Sequence, residues 1–254
     1  MRRGKAVGSP VGSQHYQEDL AYIHHVGFSD LARRAAPWVL AALRKADIHE
    51  GTVVELGCGS GILLAALSAV GYQTVGIDAS AAILDIAAST APGATLVHAS
   101  AYDAVIPPCR AIIAMGEPFN YVSGPGSEPP TAHLFSQATA ALPAGGLLLF
   151  DAMIRNRTDF TPFRSWATGS DWACLFDSLP DADGRHLRRA ITTFRLVGDT
   201  YRRGDEEHWV HLFSRTLLTR QLKKAGFTVR TASAYGRVRL SPGRRLFHCR
   251  RASA

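Results

Sequence analysis

At 254 residues and 27.4 kDa, the chain has the size of one large domain or of one domain carrying an insertion, and 46% apolar residues give it enough to bury a core. The net charge of +7 is uneven: residues 1–150 carry 8 basic and 11 acidic side chains (−3), residues 151–254 carry 20 and 10 (+10). Such asymmetry marks either a polyanionic partner or an arginine-rich solvated face, and no aromatic-interleaved basic stripe of the single-strand-binding kind is present.

The four cysteines, Cys58, Cys109, Cys174 and Cys249, are far apart and form no CxxC pair, which argues against a disulfide framework and a zinc site. Met1-Arg2-Arg3 is followed by Gly8-Ser9-Pro10 instead of an apolar run, so no signal peptide is expected. Apolar stretches such as Ile62 to Val70 are too short to span a bilayer. The expectation is a soluble cytoplasmic protein with no membrane partner, as a monomer or homodimer.

Residues 1–14 read as a flexible N-terminus and 15–50 as a helical lid. Leu20, Ile23 and Phe28 form one stripe, Leu31, Ala35, Trp38 and Ala42 a second, with Gly27 between them and Ser29 as the second N-cap. The period then changes. Residues 51–152 alternate short apolar strands with helices: strands at 52–56, 73–77, 95–98, 111–115 and 146–152, helices at 60–70, 80–89 and 131–142. Strands this apolar, separated by helices, indicate a parallel sheet covered on both faces. Residues 153–218 read as an antiparallel insertion, with strands at 188–197 and 207–217. Residues 219–254 supply a last helix, opening at Thr219, and strands at 227–233 and 244–250 that complete the core sheet.

The first strand ends in Glu55-Leu56-Gly57-Cys58-Gly59-Ser60-Gly61. Glycines between a strand and a helix let a ligand approach backbone amides closely. A dinucleotide site has the spacing GxGxxG, whereas here the third glycine comes one residue early and Glu55 precedes the first by two. A carboxylate there repels a pyrophosphate and suits a ligand carrying an ammonium and a sulfonium. Asp78, at the end of the next strand, is placed to accept from ribose hydroxyls.

ELGCGSG followed by Asp78 resembles the first two motifs of class I S-adenosylmethionine-dependent methyltransferases, in particular the bacterial group acting on small molecules. Leu222 to Phe227, reading Leu-x-x-Ala-Gly-Phe, is similar to that group's final helix and strand. The resemblance implies a Rossmann-like α/β fold with a mostly parallel seven-stranded sheet, helices on both faces, an antiparallel β extension and an N-terminal helical lid. It implies S-adenosyl-L-methionine as cofactor, with Gly57, Cys58 and Gly59 lining the methionine part and Glu55 orienting the loop or the ammonium. Asp78 would hold the ribose, and Ala79 and Ile83 would lie against the adenine. Ser100 and Ala101 stand where the family often has an acidic residue for the adenine amine, so that contact falls to backbone groups or to Tyr102 and Asp103.

Met115-Gly116-Glu117-Pro118-Phe119-Asn120-Tyr121 borders the crevice beside the sulfonium, and looks like the Gly-x-x-x-Asn-Tyr stretch of small-molecule enzymes, not the Asn-Pro-Pro-Tyr of amino-group methylation. Glu117 is a candidate to orient an acceptor or act as base, and otherwise a solvated loop carboxylate. In the lid segment, Tyr16, Tyr22 and His25 are candidates to face the cofactor, His25 as a general base. His15, His24 and Asp19 lie nearby but show no metal-ligand spacing, so no metal is expected. On the extension, alternation puts Glu206, His208 and Val210 on one face and Glu207, Trp209 and His211 on the other; either set can meet substrate, and His208 is a further catalytic candidate. Trp166 and Trp172 either line the pocket or belong to the core.

The expected activity is methyl transfer to an O, N or C nucleophile of a small molecule by in-line displacement. The alternatives are methylation of RNA or protein through the basic C-terminal third, and non-catalytic S-adenosylmethionine binding.

Overall fold

A computed structural model describes residues 15–155 and 160–252; the reading of residues 1–14 lies outside this range. The chain runs through α1 (Glu18–Gly27), α2 (Asp30–Lys45), β1 (Thr52–Leu56), α3 (Ile62–Ser68), β2 (Gln73–Asp78), α4 (Ala81–Thr90), β3 (Thr95–His98) and β4 (Ala111–Ala114). A short β5 (Tyr121–Val122), α5 (Thr131–Ala141) and β6 (Leu147–Met153) follow. Next come β7 (Phe163–Thr168), β8 (Trp172–Pro180), β9 (His186–Val197) and β10 (Thr200–His211). The chain ends with α6 (Arg215–Lys224), β11 (Phe227–Ala232), β12 (Ala234–Tyr235), β13 (Val238–Arg239) and β14 (Arg244–Arg251).

The main sheet has the order β11-β14-β6-β4-β1-β2-β3, seven strands with only β14 antiparallel to its neighbours. Its strands are apolar on both faces because both faces are buried. Val54, Leu56 and Ile112 enter one core cluster, and Val53, Ile113 and Leu149 enter the other. The expected mostly parallel seven-stranded sheet and the antiparallel extension are both present.

That extension is a separate five-stranded antiparallel sheet, β5-β10-β9-β8-β7. β9 and β10 pair over twelve residues each, from His186↔His211 to Val197↔Thr200 around the Gly198-Asp199 turn. A strand boundary and a helix boundary here differ from the sequence reading. The run expected at 207–217 stops as β10 at His211, because Leu212 and Phe213 bury against the core as a connection. The helix expected at Thr219 opens at Arg215, where the Ser214 hydroxyl accepts from Leu217 N. β7 and β8 carry no alternation strong enough to mark them as strands in advance.

The helices at the N-terminus do different things. Ala35, Val39 and Leu43 of α2 sit in the core beside the main sheet, and the Ser29 side chain makes no cap bond. α1 packs instead on the second sheet, with Leu20 and Ile23 against Trp172, Cys174 and Ile191. Trp172 fits beneath Gly27, where a Cβ would stand 2.6 Å from its ring. Trp166 is 75% exposed on the edge strand β7, on the sheet's outer side.

Candidate active site

The site forms where the carboxyl ends of the parallel strands meet α1 and the second sheet. β1 ends at Gly57, whose N–H, with that of Cys58, donates to Ile77 O (2.7 and 3.1 Å), so the glycine loop hangs from the end of β2. Gly57 has φ +68°, and a Cβ there would come within 2.4 Å of Pro118. Glycine is what allows the loop to lie against the Pro118 segment. The Asp78 carboxylate accepts from Gly59 N (2.9 Å) and Ser80 N (3.0 Å). Burial pushes its pKa up, and these N–H donors oppose the rise. Ser80 then caps α4, accepting from Ile83 N, and donates to Tyr16 O (2.7 Å).

A cavity of about 630 Å³ opens above this loop, within the size range of small-molecule sites. One end is walled by Gly57, Gly59, Asp78, Ala79, Ile83, Ser100 and Ala101, with Tyr102 and Asp103 beside them. Met115, Gly116 and Pro118 form the middle. The other end is walled by His15, Tyr16 and His24 from the lid segment, and by Tyr121 to Ser123 and Ser127 to Pro130.

The lid is fastened by polar groups. Glu206 of β10 accepts from Tyr16 N (2.7 Å), Gln17 N (2.8 Å) and His208 Nε2 (2.8 Å), capping the start of α1 with a carboxylate. Asp19 receives a bidentate pair from Arg202 (2.7 and 2.6 Å) and a third bond from Arg195 (3.4 Å). Tyr16 and Tyr121 join hydroxyls at 3.0 Å. His24 is pushed down to about 4 by burial and by His25; His15 falls to about 4 by burial and by His208, against an opposing pull from Glu206. Both are neutral imidazoles at neutral pH.

Behind the Met115–Pro118 segment lies Asp151, fully buried at the end of β6. It accepts from Gly116 N (3.0 Å), Glu117 N (2.9 Å), the Tyr235 hydroxyl (2.7 Å) and both Nε and Nη2 of Arg244 (3.0 and 2.6 Å). Glu117 has φ +62°, and its carboxylate meets Arg189 at 2.5 Å and Arg244 at 3.6 Å. Asn120, also fully buried, bonds Met153 N and O (3.0 Å each) and His211 O (2.6 Å), which staples the second sheet to the first.

Of the residues singled out in the sequence, the cavity wall contains Tyr16, Gly57, Gly59, Asp78, Ala79, Ile83, Ser100, Ala101, Met115 and Gly116. Six others stand outside it. The Cys58 side chain turns into the core beside Leu64, and burial raises its thiol pKa. Glu55 is 3% exposed with Oε2 lacking a partner, and burial and then Asp78 hold its carboxyl well above the usual range. Tyr22 donates to Asp171 (2.7 Å) under the Arg195 guanidinium. His25 is half-buried away from the wall, its neighbour His24 facing the cavity instead. Glu117 lies in its arginine pairs, and His208, 1% exposed, sits behind His15, Tyr16 and Tyr121. The sequence marks Ser80 as the cap of α4, but not its bond to Tyr16, nor the roles of Asn120, Asp151 and Glu206, which act over separations of 33 residues or more that no local pattern reveals.

Residues 24–232 match the family described as a methyltransferase domain. The chain belongs to this methyltransferase family. A Geobacillus sp. (strain WCH70) protein named as a methyltransferase is 28% identical over 197 residues, covering 70% of this chain and 74% of that one. Among solved structures, an S-adenosylmethionine-dependent methyltransferase from Clostridium acetobutylicum ATCC 824 superposes with a TM-score of 0.77, at 15% identity, covering 91% of this chain and 97% of the other. The sugar N-methyltransferase KedS8 from Streptoalloteichus sp. ATCC 53650 gives 0.75 at 18% identity, covering 99% and 100%. This chain is a methyltransferase, and it has the fold of these solved methyltransferases. No helix among the described residues is long and apolar enough to cross a membrane.

Proposed function

We propose that this methyltransferase acts on a small molecule bound at the histidine end of the cavity. The supporting observation is that one cavity joins the Asp78 end to His15, Tyr16 and His24, with a lid and a sheet over it. The cofactor end fits its group on its own chemistry. Gly57 and Gly59 line the cavity, Asp78 offers a carboxylate, and the unpartnered Oε2 of Glu55 is a buried acceptor suited to a nearby cation. Ile83, Ala79 and Ala101 supply an apolar wall for the adenine, with Ser100 and Tyr102 alongside. When bound, S-adenosylmethionine supplies an electrophilic methyl group on a sulfonium.

The protein's own work is then alignment, exclusion of water and removal of one proton. Tyr16 and Tyr121, joined through their hydroxyls, close the wall at the histidine end. His15 and His24 present neutral imidazoles, each able to take a proton from an O–H or N–H acceptor. A carboxylate can only accept, so Nε2 of His208 donates to Glu206, which fixes the orientation of this ring behind His15. We assign His208 a positioning role toward His15. Glu117 holds Arg189 and Arg244 and is not the base in this reading; nor is His25, which is off the wall.

A polyanionic acceptor loses its motivation here. Arg185, Arg189, Arg195, Arg202 and Arg244 of the basic third pair with Glu128, Glu117, Asp19 or Glu18 from the acidic part. The test is to incubate purified enzyme with methyl-labelled cofactor and either metabolite pools or total RNA and protein. Label should pass to a small molecule, with S-adenosylhomocysteine formed in equal amount. Label confined to RNA or protein would overturn the proposal.

A further inference from the structure

Once those cross-pairings are set aside, the arginines that remain are not evenly spread. Arg155, Arg215 and Arg245 line one cavity of about 330 Å³, together with Ser214, Thr216 and Gly243. Three separate pieces of chain bring them there. Arg155 follows β6 and is held by its N–H to Phe213 O (2.8 Å). Arg215 and Thr216 open α6 behind the Ser214 cap. Arg245 lies on β14 next to Arg244, and Gly243 just before them accepts from Ile154 N (2.7 Å).

Arg244 turns to Asp151, but among the described residues Arg155, Arg215 and Arg245 pair with no carboxylate and no Asp or Glu lines the cavity. Arg245 also donates to the carbonyl of Arg244. Three like charges around one concavity repel, and a single acidic residue in the wall would have relieved them. We propose that this cavity binds a phosphate or diphosphate group of a small molecule. Guanidinium forks match the several oxygens of such a group, the Thr216 hydroxyl adds a donor, and the anion offsets the repulsion. The arginines carry the case, and the start of α6 adds only a modest favourable field. The site is a compact concavity, not a stripe, which selects a small ligand over a nucleic-acid backbone.

The proposal does not depend on which acceptor is methylated.

Calorimetric titration of the full chain with pyrophosphate, inorganic phosphate and uridine diphosphate, at constant ionic strength, tests it. Pyrophosphate should bind saturably at one site. Arg215→Gln and Arg245→Gln should each weaken it by about tenfold, with S-adenosylhomocysteine affinity unchanged. Arg164→Gln, on the far edge of the second sheet, should leave it unaltered. Uridine diphosphate binding much tighter than pyrophosphate would make the anion part of a larger ligand, and equal affinities would make the free anion the ligand; both outcomes support the site. No saturable binding up to about 10 mM, undiminished binding in the double variant, or arginine-dependent binding of RNA with none of pyrophosphate would overturn it. Should a glutamine variant fail to fold, Arg215→Lys and Arg245→Lys keep the charge but remove the fork, and should still weaken binding.

Discussion

The two ends of the active-site cavity are built by different means. The cofactor end is backbone: a strand ending in glycine, amides hung on Ile77 O, and one carboxylate bracing Gly59 and Ser80. It stands on a sheet buried on both faces. The lid end is held by side chains that reach across the sequence, Glu206 to Tyr16, Arg202 to Asp19 and Asn120 to His211. Backbone devices need a short motif and apolar flanks, so they persist over a wide range of sequences. Side-chain devices depend on particular residues far apart in the chain meeting one another.

The largest effect should come from the hub between the ends. Asp151→Ala strips five donors of their acceptor and leaves Arg244 buried beside Glu117 alone, which should cost about 3–5 kcal/mol of stability and show as a large fall in Tm. Asp78→Ala should weaken S-adenosylhomocysteine binding by about 100-fold in a titration, through the loss of charge-assisted bonds to ribose and of the brace on Gly59. If affinity stays within threefold of wild type (about 0.6 kcal/mol), the cofactor end does not rest on this carboxylate. Glu206→Gln keeps the size but removes the charge that caps α1. About 1–2 kcal/mol should be lost locally, seen as faster hydrogen exchange in α1 and β10 with little change in β1 and β2. Uniform loss across both regions would erase the distinction drawn here.

Acidity separates the ends with opposite signs. His15, His24 and His211 are pushed down to about 4. The unfolded chain takes up protons that these folded imidazoles refuse, so the lid end loses stability as pH falls from 6.5 toward 4. Glu55 and Asp78 have raised pKa values, so their burial is tolerated best at low pH and costs stability as pH rises through the range above their ordinary values. Hydrogen exchange at pH 5 against pH 7 should therefore open α1 first. Equal opening of β1 and β2 would contradict this.

What could be read in advance follows the same division. Gly57, Gly59, Gly61 and Asp78 signalled the cofactor, and consecutive apolar residues such as Ile112-Ile113 signalled a doubly covered sheet, because these are local consequences of backbone geometry. The choice between the two faces of β10 could not be made locally. In the fold the Glu206–His208 side meets Tyr16 of the lid segment. Of the adjacent pair His24-His25 the sequence pointed to His25 as the inward member, whereas His24 lines the cavity. Asp151 read as a strand end, since Gly116, Tyr235 and Arg244 come to it only when β4, β6, β12 and β14 assemble.

Tyr16 sits at a crossing: its N–H is held by Glu206 of the second sheet and its carbonyl by Ser80 beside Asp78. A residue clasped through its main chain cannot be released by rotating a side chain. To open the cavity the chain must let go of one side, and it has several bonds to the second sheet but one polar bond to Ser80. The weaker grip is thus on the cofactor side, so the lid segment should part from Ser80 while Asn120 keeps the second sheet in place. Spent cofactor would leave through the gap beside Ser80, with the methylated product still against the histidines.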